Sequence, residues 1–302
     1  MVTLRRTQLA TPASDRTMMT KAASGDADEV FLDLEDSVAP SQKPSARETL
    51  VEAVTEEDWS GITLSFRMNG VDTEWWYRDL IDVITDVGET IDDIIVPKVD
   101  HPSTVDTVEN LLAAVETNAG LEPGGIGLEP QIESGRALHN VHDIANASDR
   151  ISALIFGPGD FAADMGAPGL DIGQFPEYPG HYWHHALSEC NAAAKSAGVP
   201  CIDGPYADID DPAGYRESAE RANMLGCDGK WAVHPDQVEI GNEVFSPDPE
   251  TAERAARIVE AYQEAMEEGR GAVQVDGQMV DEATHKVATD IVDRARAAGI
   301  ID

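Results

Sequence analysis

The sequence predicts an α/β protein: a (β/α)8 barrel of the TIM type followed by a C-terminal helical extension. Three observations carry that reading. Eight short apolar runs are present, polar Ala-rich segments with helical patterning separate them, and Gly, Pro, Asn or Asp marks most junctions. Strand–helix alternation on that count closes a barrel in about 250 residues, with a doubly wound open sheet as the alternative.

The predicted strands, in order, are Arg6–Thr11, Glu29–Leu34, Ile62–Met68, Asp93–Val99, Ile126–Ile132, Ile151–Phe156, Val199–Ile202 and Gly229–Val233. Helical segments such as Ser45–Val54, Pro102–Thr117, Tyr182–Ala197 and Gly214–Leu225 lie between them. Residues 1–245 complete the barrel, and residues 246–302 exceed what it needs. That tail holds helix-like Pro249–Glu268 and Asp281–Ala298, joined by Gly269 to Gly277. Such a tail either caps its own barrel or reaches over a neighbouring subunit.

Charge is the unusual part of the composition. The 302 residues carry 57 acids against 21 bases, a net charge of −36, and only six of the bases are Lys. Self-repulsion of that size is costly at low salt and tolerable where counterions shorten the Debye length to roughly 3 Å, near 1 M. Halophiles use this lever, so the charge predicts a salt-adapted protein of the haloarchaeal type; the alternative is an ordinary acidic enzyme. Such a surface repels phosphate backbones and anionic lipid, which excludes nucleic acid and membranes as partners. Arg5 and Arg6 near the N-terminus precede no apolar h-region, and no run approaches the roughly 20 apolar residues of a membrane span. The expectation is a soluble, unprocessed, cytoplasmic protein. Cys190, Cys201 and Cys227 are odd in number and lack Cys-x-x-Cys spacing, so they read as small buried apolar side chains.

Polar residues gather at the predicted strand ends, the catalytic face of this fold. Asp33, Glu35 and Asp36 follow the second strand, Arg67 and Asn69 the third, Lys98 the fourth, Glu133 the fifth, Asp160 the sixth and Asp203 the seventh. Any one of them alone is a solvated charge or a helix cap. Their recurrence at six successive strand ends is what marks a site. Glu133 and Asp160 lie 27 residues apart at the ends of consecutive strands, so they can share one divalent ion. Two carboxylates are too few to cage Ca2+, but they suit Mg2+, with Mn2+ as its substitute, because water and substrate complete the shell. His181, His184 and His185 lack the acidic partner of a zincin pattern and read as packing around Trp183. The turn Gly157-Pro158-Gly159-Asp160 offers backbone N–H groups, Gly159 among them, to a substrate carboxylate beside the metal. It lacks the Gly-Lys-Ser/Thr ending of a phosphate loop. Arg67, planar and permanently cationic, suits an oxyanion; its plainer reading is an ion pair with Asp33 or Glu35.

Taken in order, Phe31-Leu32-Asp33-Leu34-Glu35-Asp36, Arg67-Met68-Asn69-Gly70, Val96-Pro97-Lys98-Val99, Glu133-Ser134, Gly159-Asp160 and Gly229-Lys230-Trp231-Ala232-Val233-His234-Pro235 resemble the HpcH/HpaI aldolase and citrate lyase β-subunit-like superfamily nearly end to end. Tyr182-Trp183-His184-His185-Ala186 and Asp203-Gly204-Pro205-Tyr206 are similar to the malyl-CoA and β-methylmalyl-CoA lyases within it. The resemblance implies a Mg2+-dependent, reversible Claisen-type cleavage of a 3-hydroxyacyl-CoA thioester to glyoxylate and propionyl-CoA or acetyl-CoA. It makes Glu133 and Asp160 the metal ligands and Arg67 the group that steadies the enolate oxygen. Asp281, in Asp276-Gly277-Gln278-Met279-Val280-Asp281, becomes an acid–base residue supplied by a neighbouring subunit of a homo-oligomer, a trimer or hexamer. Gln278 stands where the family often has Lys. Arg16 and Lys21 fall where the family contacts CoA; Asp33, Glu35, Lys98 and Gly159 are the candidate substrate-binding residues. Alternatives that keep the same site are a malyl-CoA thioesterase and a citramalyl-CoA or citrate lyase β-like enzyme. A non-catalytic acyl-carrier-binding subunit is the reading from another class, and the retained Glu133, Asp160, Arg67 and Asp281 argue against it.

Overall fold

The computed structural model describes residues 3–166 and 183–302. Eight parallel strands close a barrel: β1 Thr7–Pro12, β2 Glu29–Asp33, β3 Thr63–Arg67, β4 Asp93–Val96, β5 Gly127–Ile132, β6 Leu154–Phe156, β7 Cys201–Asp203 and β8 Gly229–Ala232, with β8 pairing back onto β1. The closed ring excludes the open-sheet alternative. The intervening helices are α1 Arg16–Ala22, α2 Lys43–Glu56, α3 Trp76–Val87, α4 Pro102–Ala119, α5 Gly135–His139, α6 Val141–Ala145, α7 Pro158–Asp164, α8 His184–Ala197, α9 Pro212–Met224 and α10 Asp236–Val244. The chain divides into two compact units: Arg5–Asn242, which holds the barrel, and Glu243–Asp302 together with the first four residues.

The acidic composition is put to use at helix starts. Asp15 and Asp211 cap α1 and α9, and Asp248 and Asp281 cap α11 Pro249–Glu267 and α12 Glu282–Ala297, each accepting a backbone N–H of the first turn. A carboxylate there both satisfies an orphan donor and meets the positive end of the helix dipole. In the C-terminal unit α11 and α12 pack through Ala255, Ala288 and Val292. Between them β9 Val273–Val275 and β10 Gln278–Val280 form an antiparallel hairpin that the strand count does not anticipate. Its two turn residues, Asp276 and Gly277, both have positive φ (49° and 80°), as a tight two-residue hairpin turn requires.

Alternate strand residues point inward and fill the barrel in layers. The middle layer is apolar: Phe31, Ile95, Ala153, Ile155, Ile202 and Trp231, with Ala10 against them. Below it, toward the strand N-termini, lies a buried polar floor. Arg5 bridges Glu29 and Asp93 at 3.1 and 2.7 Å and also meets Glu129. Gln8 donates to Glu29 and Glu129, and Ser65 donates to Glu29 at 2.6 Å. Above the apolar layer, at the strand C-termini, the barrel opens into a cavity.

The three cysteines are free thiols buried outside the barrel lumen, with Cys201 and Cys227 Sγ atoms 4.0 Å apart. Burial leads the causes that push the Cys190 thiol above its ordinary range. Among the described residues no helix is long and apolar enough to cross a membrane.

Candidate active site

Register places the first pair. Asp33, the last residue of β2, stands opposite Arg67, the last of β3, and the guanidinium grips its carboxylate through Nε and Nη2, both at 2.7 Å. Nη1 reaches Glu35 Oε2 at 2.9 Å, and the exposed Asp36 lies 3.6 Å away. The loop carrying these acids is pinned from beneath by the buried Lys43, whose ammonium donates to the carbonyls of Leu34 and Glu35, both at 2.9 Å. Asp33 accepts the N–H groups of Glu35 and Ser37 as well. Burial works against its charge, but the Arg67 charge and hydrogen bonds prevail and hold its carboxyl below the usual range.

Lys98 joins the second pair of acids. Its backbone adopts a left-handed conformation (φ 55°) that non-glycine residues rarely enter. In that conformation its N–H donates to Glu133 Oε1 at 2.6 Å, while its ammonium reaches Glu35 Oε1 at 2.8 Å. Burial lowers the ammonium's pKa, yet Glu35 outweighs it and keeps Lys98 above its ordinary value. Glu133 Oε2 accepts from Gln131 Nε2 at 2.7 Å. Gly157 leaves the room: a Cβ there would fall 2.6 Å from Glu133 Oε2. Burial, then the charge of Glu35, pushes the Glu133 carboxyl up to about 8, with Asp160 adding to the shift.

Asp160, exposed in the first turn of α7, completes the rim. Arg67, Glu133, Gly159 and Asp160 line one cavity of about 620 Å3, floored by Phe31 and Trp231. Gln131 also lines it, and its buried Oε1 has no hydrogen-bond partner. Among the described residues no three His, Cys, Asp or Glu side chains converge as a ready-made metal cage. The donor set is two carboxylates with an unmatched amide oxygen beside them, in a pocket where burial, and after it the charge of neighbouring acids, raises the Glu133 pKa. Such a set fits a hard divalent ion that fills its remaining positions from water and substrate.

The profile of the HpcH/HpaI aldolase/citrate lyase family matches residues 6–235. The chain belongs to this family. Its relatives include the L-malyl-CoA/β-methylmalyl-CoA lyase of Rhodobacter capsulatus, 40% identical over 98% of this chain and 96% of that one. The malyl-CoA/β-methylmalyl-CoA/citramalyl-CoA lyase of Chloroflexus aurantiacus is 31% identical over 87% of this chain and 79% of that one. Among solved structures, the protein CitE from Mycobacterium tuberculosis in complex with magnesium, acetoacetate and coenzyme A superposes with a TM-score of 0.75, 26% identity and 97% of each chain covered.

In this HpcH/HpaI-family chain the structure brings Asp33, Glu35, Arg67, Lys98, Glu133, Gly159 and Asp160 to one barrel mouth. Other strand-end residues are spent internally. Asp203 is paired with the buried Lys230, and Asn69 bonds Asp79. Arg16 and Lys21 sit on α1 away from the cavity lining; Arg16 bridges Glu56 and Glu57 at 3.1 and 2.6 Å, and Lys21 is exposed. Asp281 belongs to the C-terminal unit, where its Oδ1 accepts the N–H and hydroxyl of Thr284. One expectation is corrected: Trp183 is buried beside Phe156 and Phe161, whereas His184 and His185 point to solvent at the start of α8, because the helix turns that face outward. His181 lies outside the described residues. Sequence reading missed Gln131, Lys43 and Trp231. Gln131 carried a usable signal, since it lies two residues before Glu133 on the same face of β5.

Proposed function

We propose that this chain is a magnesium-dependent carbon–carbon lyase that reversibly cleaves β-methylmalyl-CoA, malyl-CoA or both into glyoxylate and propionyl-CoA or acetyl-CoA. One observation carries the reading: a chain 40% identical to a lyase of that name gathers Glu133, Asp160 and Arg67 on a single barrel-mouth cavity. Glu133 and Asp160 would hold Mg2+, with Mn2+ as its substitute, and the bound ion supplies Lewis-acid polarisation of the glyoxylate oxygens.

The chain's own residues supply the rest. A guanidinium has five N–H donors, and three of those on Arg67 are taken by Asp33 and Glu35. The others are available to the thioester enolate oxygen, and a cation fixed before the reaction costs no reorganisation when charge develops. Lys98 and the Gly159 turn orient the carboxylate of the substrate at the rim. Asp281 is held below the usual carboxylate range, chiefly by the Thr284 N–H, and is therefore ionised at neutral pH. In the condensation direction it takes the α-proton of the acyl-CoA, and in cleavage it returns that proton, a role worth about 10² to 10⁴ in rate. We assign that role across subunits of a trimer or hexamer, with residues 246–302 as the contributing extension to a barrel of residues 1–245. Arg16 and Lys21 offer cations to the CoA phosphates. The charge of −36 supports a cytoplasmic enzyme adapted to high salt.

The test is glyoxylate release, trapped with phenylhydrazine, from β-methylmalyl-CoA and malyl-CoA in molar KCl with and without Mg2+. Metal-dependent glyoxylate is expected. Free CoA without glyoxylate would replace the lyase by a thioesterase. The citramalyl-CoA named for the Chloroflexus relative makes pyruvate the product to assay next.

A further inference from the structure

The hydrogen bonds of Arg67 to Asp33 and Glu35 all run along the edges of its guanidinium. Edge bonds fix where a planar group sits but bend readily out of plane, so whatever lies against its faces limits its tilt. Against Arg67 lie two aromatic rings: Trp231, 5.4 Å from Cζ, and Phe31, at 6.0 Å. The two rings pack on each other with centroids 4.5 Å apart. Trp231 is itself locked, because its indole N–H donates to Gln8 Oε1 at 2.7 Å inside the barrel. Gln8 in turn spends its amide hydrogens on Glu29 at 2.8 Å and Glu129 at 3.0 Å. Every polar atom of the Gln8 side chain is committed, so the indole cannot turn without breaking a buried bond. Accepting the indole proton also pushes electron density into the ring that meets the cation.

We propose that Trp231, locked by Gln8, is the positioning residue that sets the tilt of Arg67 toward the developing enolate. This rests on the lyase reading above. The bond from Trp231 to Gln8 makes the sealed floor of the barrel part of the active-site scaffold, although no floor residue touches substrate.

Steady-state kinetics of Trp231→Phe, Trp231→Leu, Gln8→Leu and the double variant Gln8→Leu/Trp231→Phe test it, with circular dichroism confirming each fold. Trp231→Leu removes the face and should lower kcat about 30-fold, the worth of a desolvated cation–π contact. Trp231→Phe keeps a face but loses the indole N–H and should lose about fivefold. KM for both substrates should stay within about twofold, since the effect lies in the transition state. Gln8→Leu removes the indole bond and also the bonds to Glu29 and Glu129, so it should lose at least as much kcat as Trp231→Phe, and the double variant should be no worse than Gln8→Leu alone, because the shared bond is already gone. Unchanged kcat in Trp231→Leu, a rise in KM with kcat intact, or additive losses in the double variant would each overturn the positioning role. Should Gln8→Leu fail to fold, the Phe and Leu variants decide alone. A crystal structure of Trp231→Leu separates this proposal from the reading beneath it. Arg67 displaced while wild-type protein releases no glyoxylate sinks only the lyase, and Arg67 unmoved sinks the positioning role.

Discussion

At the N-terminal end of the barrel Arg5 sits among Glu29, Asp93 and Glu129; at the C-terminal end Arg67 and Lys98, with Lys43 beneath, face Asp33, Glu35, Asp36, Glu133 and Asp160. Each end carries an acidic surplus, and the two ends dispose of it differently. On the floor, burial drives the Glu29 carboxyl above its ordinary range despite Arg5, and Gln8, Ser65 and Ser152 supply neutral donors. Protons, amides and hydroxyls meet the surplus in a buried layer. At the mouth the surplus faces an open cavity, with Gln131 Oε1 unmatched, and is left for a ligand to meet. The comparison teaches that an acid at either end of this barrel acquires a function from access, not from its identity.

Removing the acid at the mouth should cost activity and not stability. Glu133→Gln is expected to lower glyoxylate release by about 10³-fold or more, the scale of losing a preorganised electrostatic group. Its melting temperature should hold or rise, because a carboxyl that resists ionisation has been replaced. The converse change belongs to the floor: Arg5→Met leaves buried acids without their cation and should destabilise the protein by about 3–5 kcal/mol in urea titration. The folded fraction should keep its kcat within about threefold. A kcat loss matching that of Glu133→Gln would erase the distinction between the two ends.

Gly157→Ala tests whether space at the mouth matters as charge does. The added Cβ would displace Glu133, so calorimetry should show Mg2+ affinity reduced about 10- to 100-fold, as when a ligand's support is lost. The smallest effect is a pH dependence. Burial pushes the Glu133 carboxyl up to about 8 from about 4.5, so its contribution to stability is fully present below about pH 4.5 and is lost as pH rises through about 8. A bound cation cancels that loss. The rise in melting temperature on adding Mg2+ should therefore grow from pH 5 to 8, and an equal rise at every pH would remove Glu133 from the metal site.

The fold was legible because parallel strands covered on both faces read as apolar runs, and all eight runs became barrel strands with shifted ends. Asp93–Val99, read as one strand, stops at Val96 because Lys98 turns left-handed. The mouth was legible because strand-end polar residues accumulate there. The floor was not: Glu29 and Asp93 sit where a charge looks like a strand boundary, Glu129 lies inside its strand, and only the two-residue step to Phe31, Ile95 and Gln131 marks them as inward-facing. The β9–β10 hairpin was missed for its three-residue strands, although Asp276-Gly277 is the strongest short signal for such a turn. The pairing of Asp203 with Lys230 depends on neighbours 27 residues away, which no local pattern reports.

Among the described residues, a lumen filled from Arg5 to Trp231 leaves the barrel open at the strand C-terminal end. Traffic through it runs both ways: for the proposed reaction, glyoxylate and the acyl-CoA thioester arrive and depart by the same opening. One product therefore obstructs the exit of the other, and turnover at high product concentration is governed by the order of departure. Product-inhibition patterns should be those of an ordered sequential enzyme, a kinetic signature written by residues at the opposite end of the barrel from the chemistry.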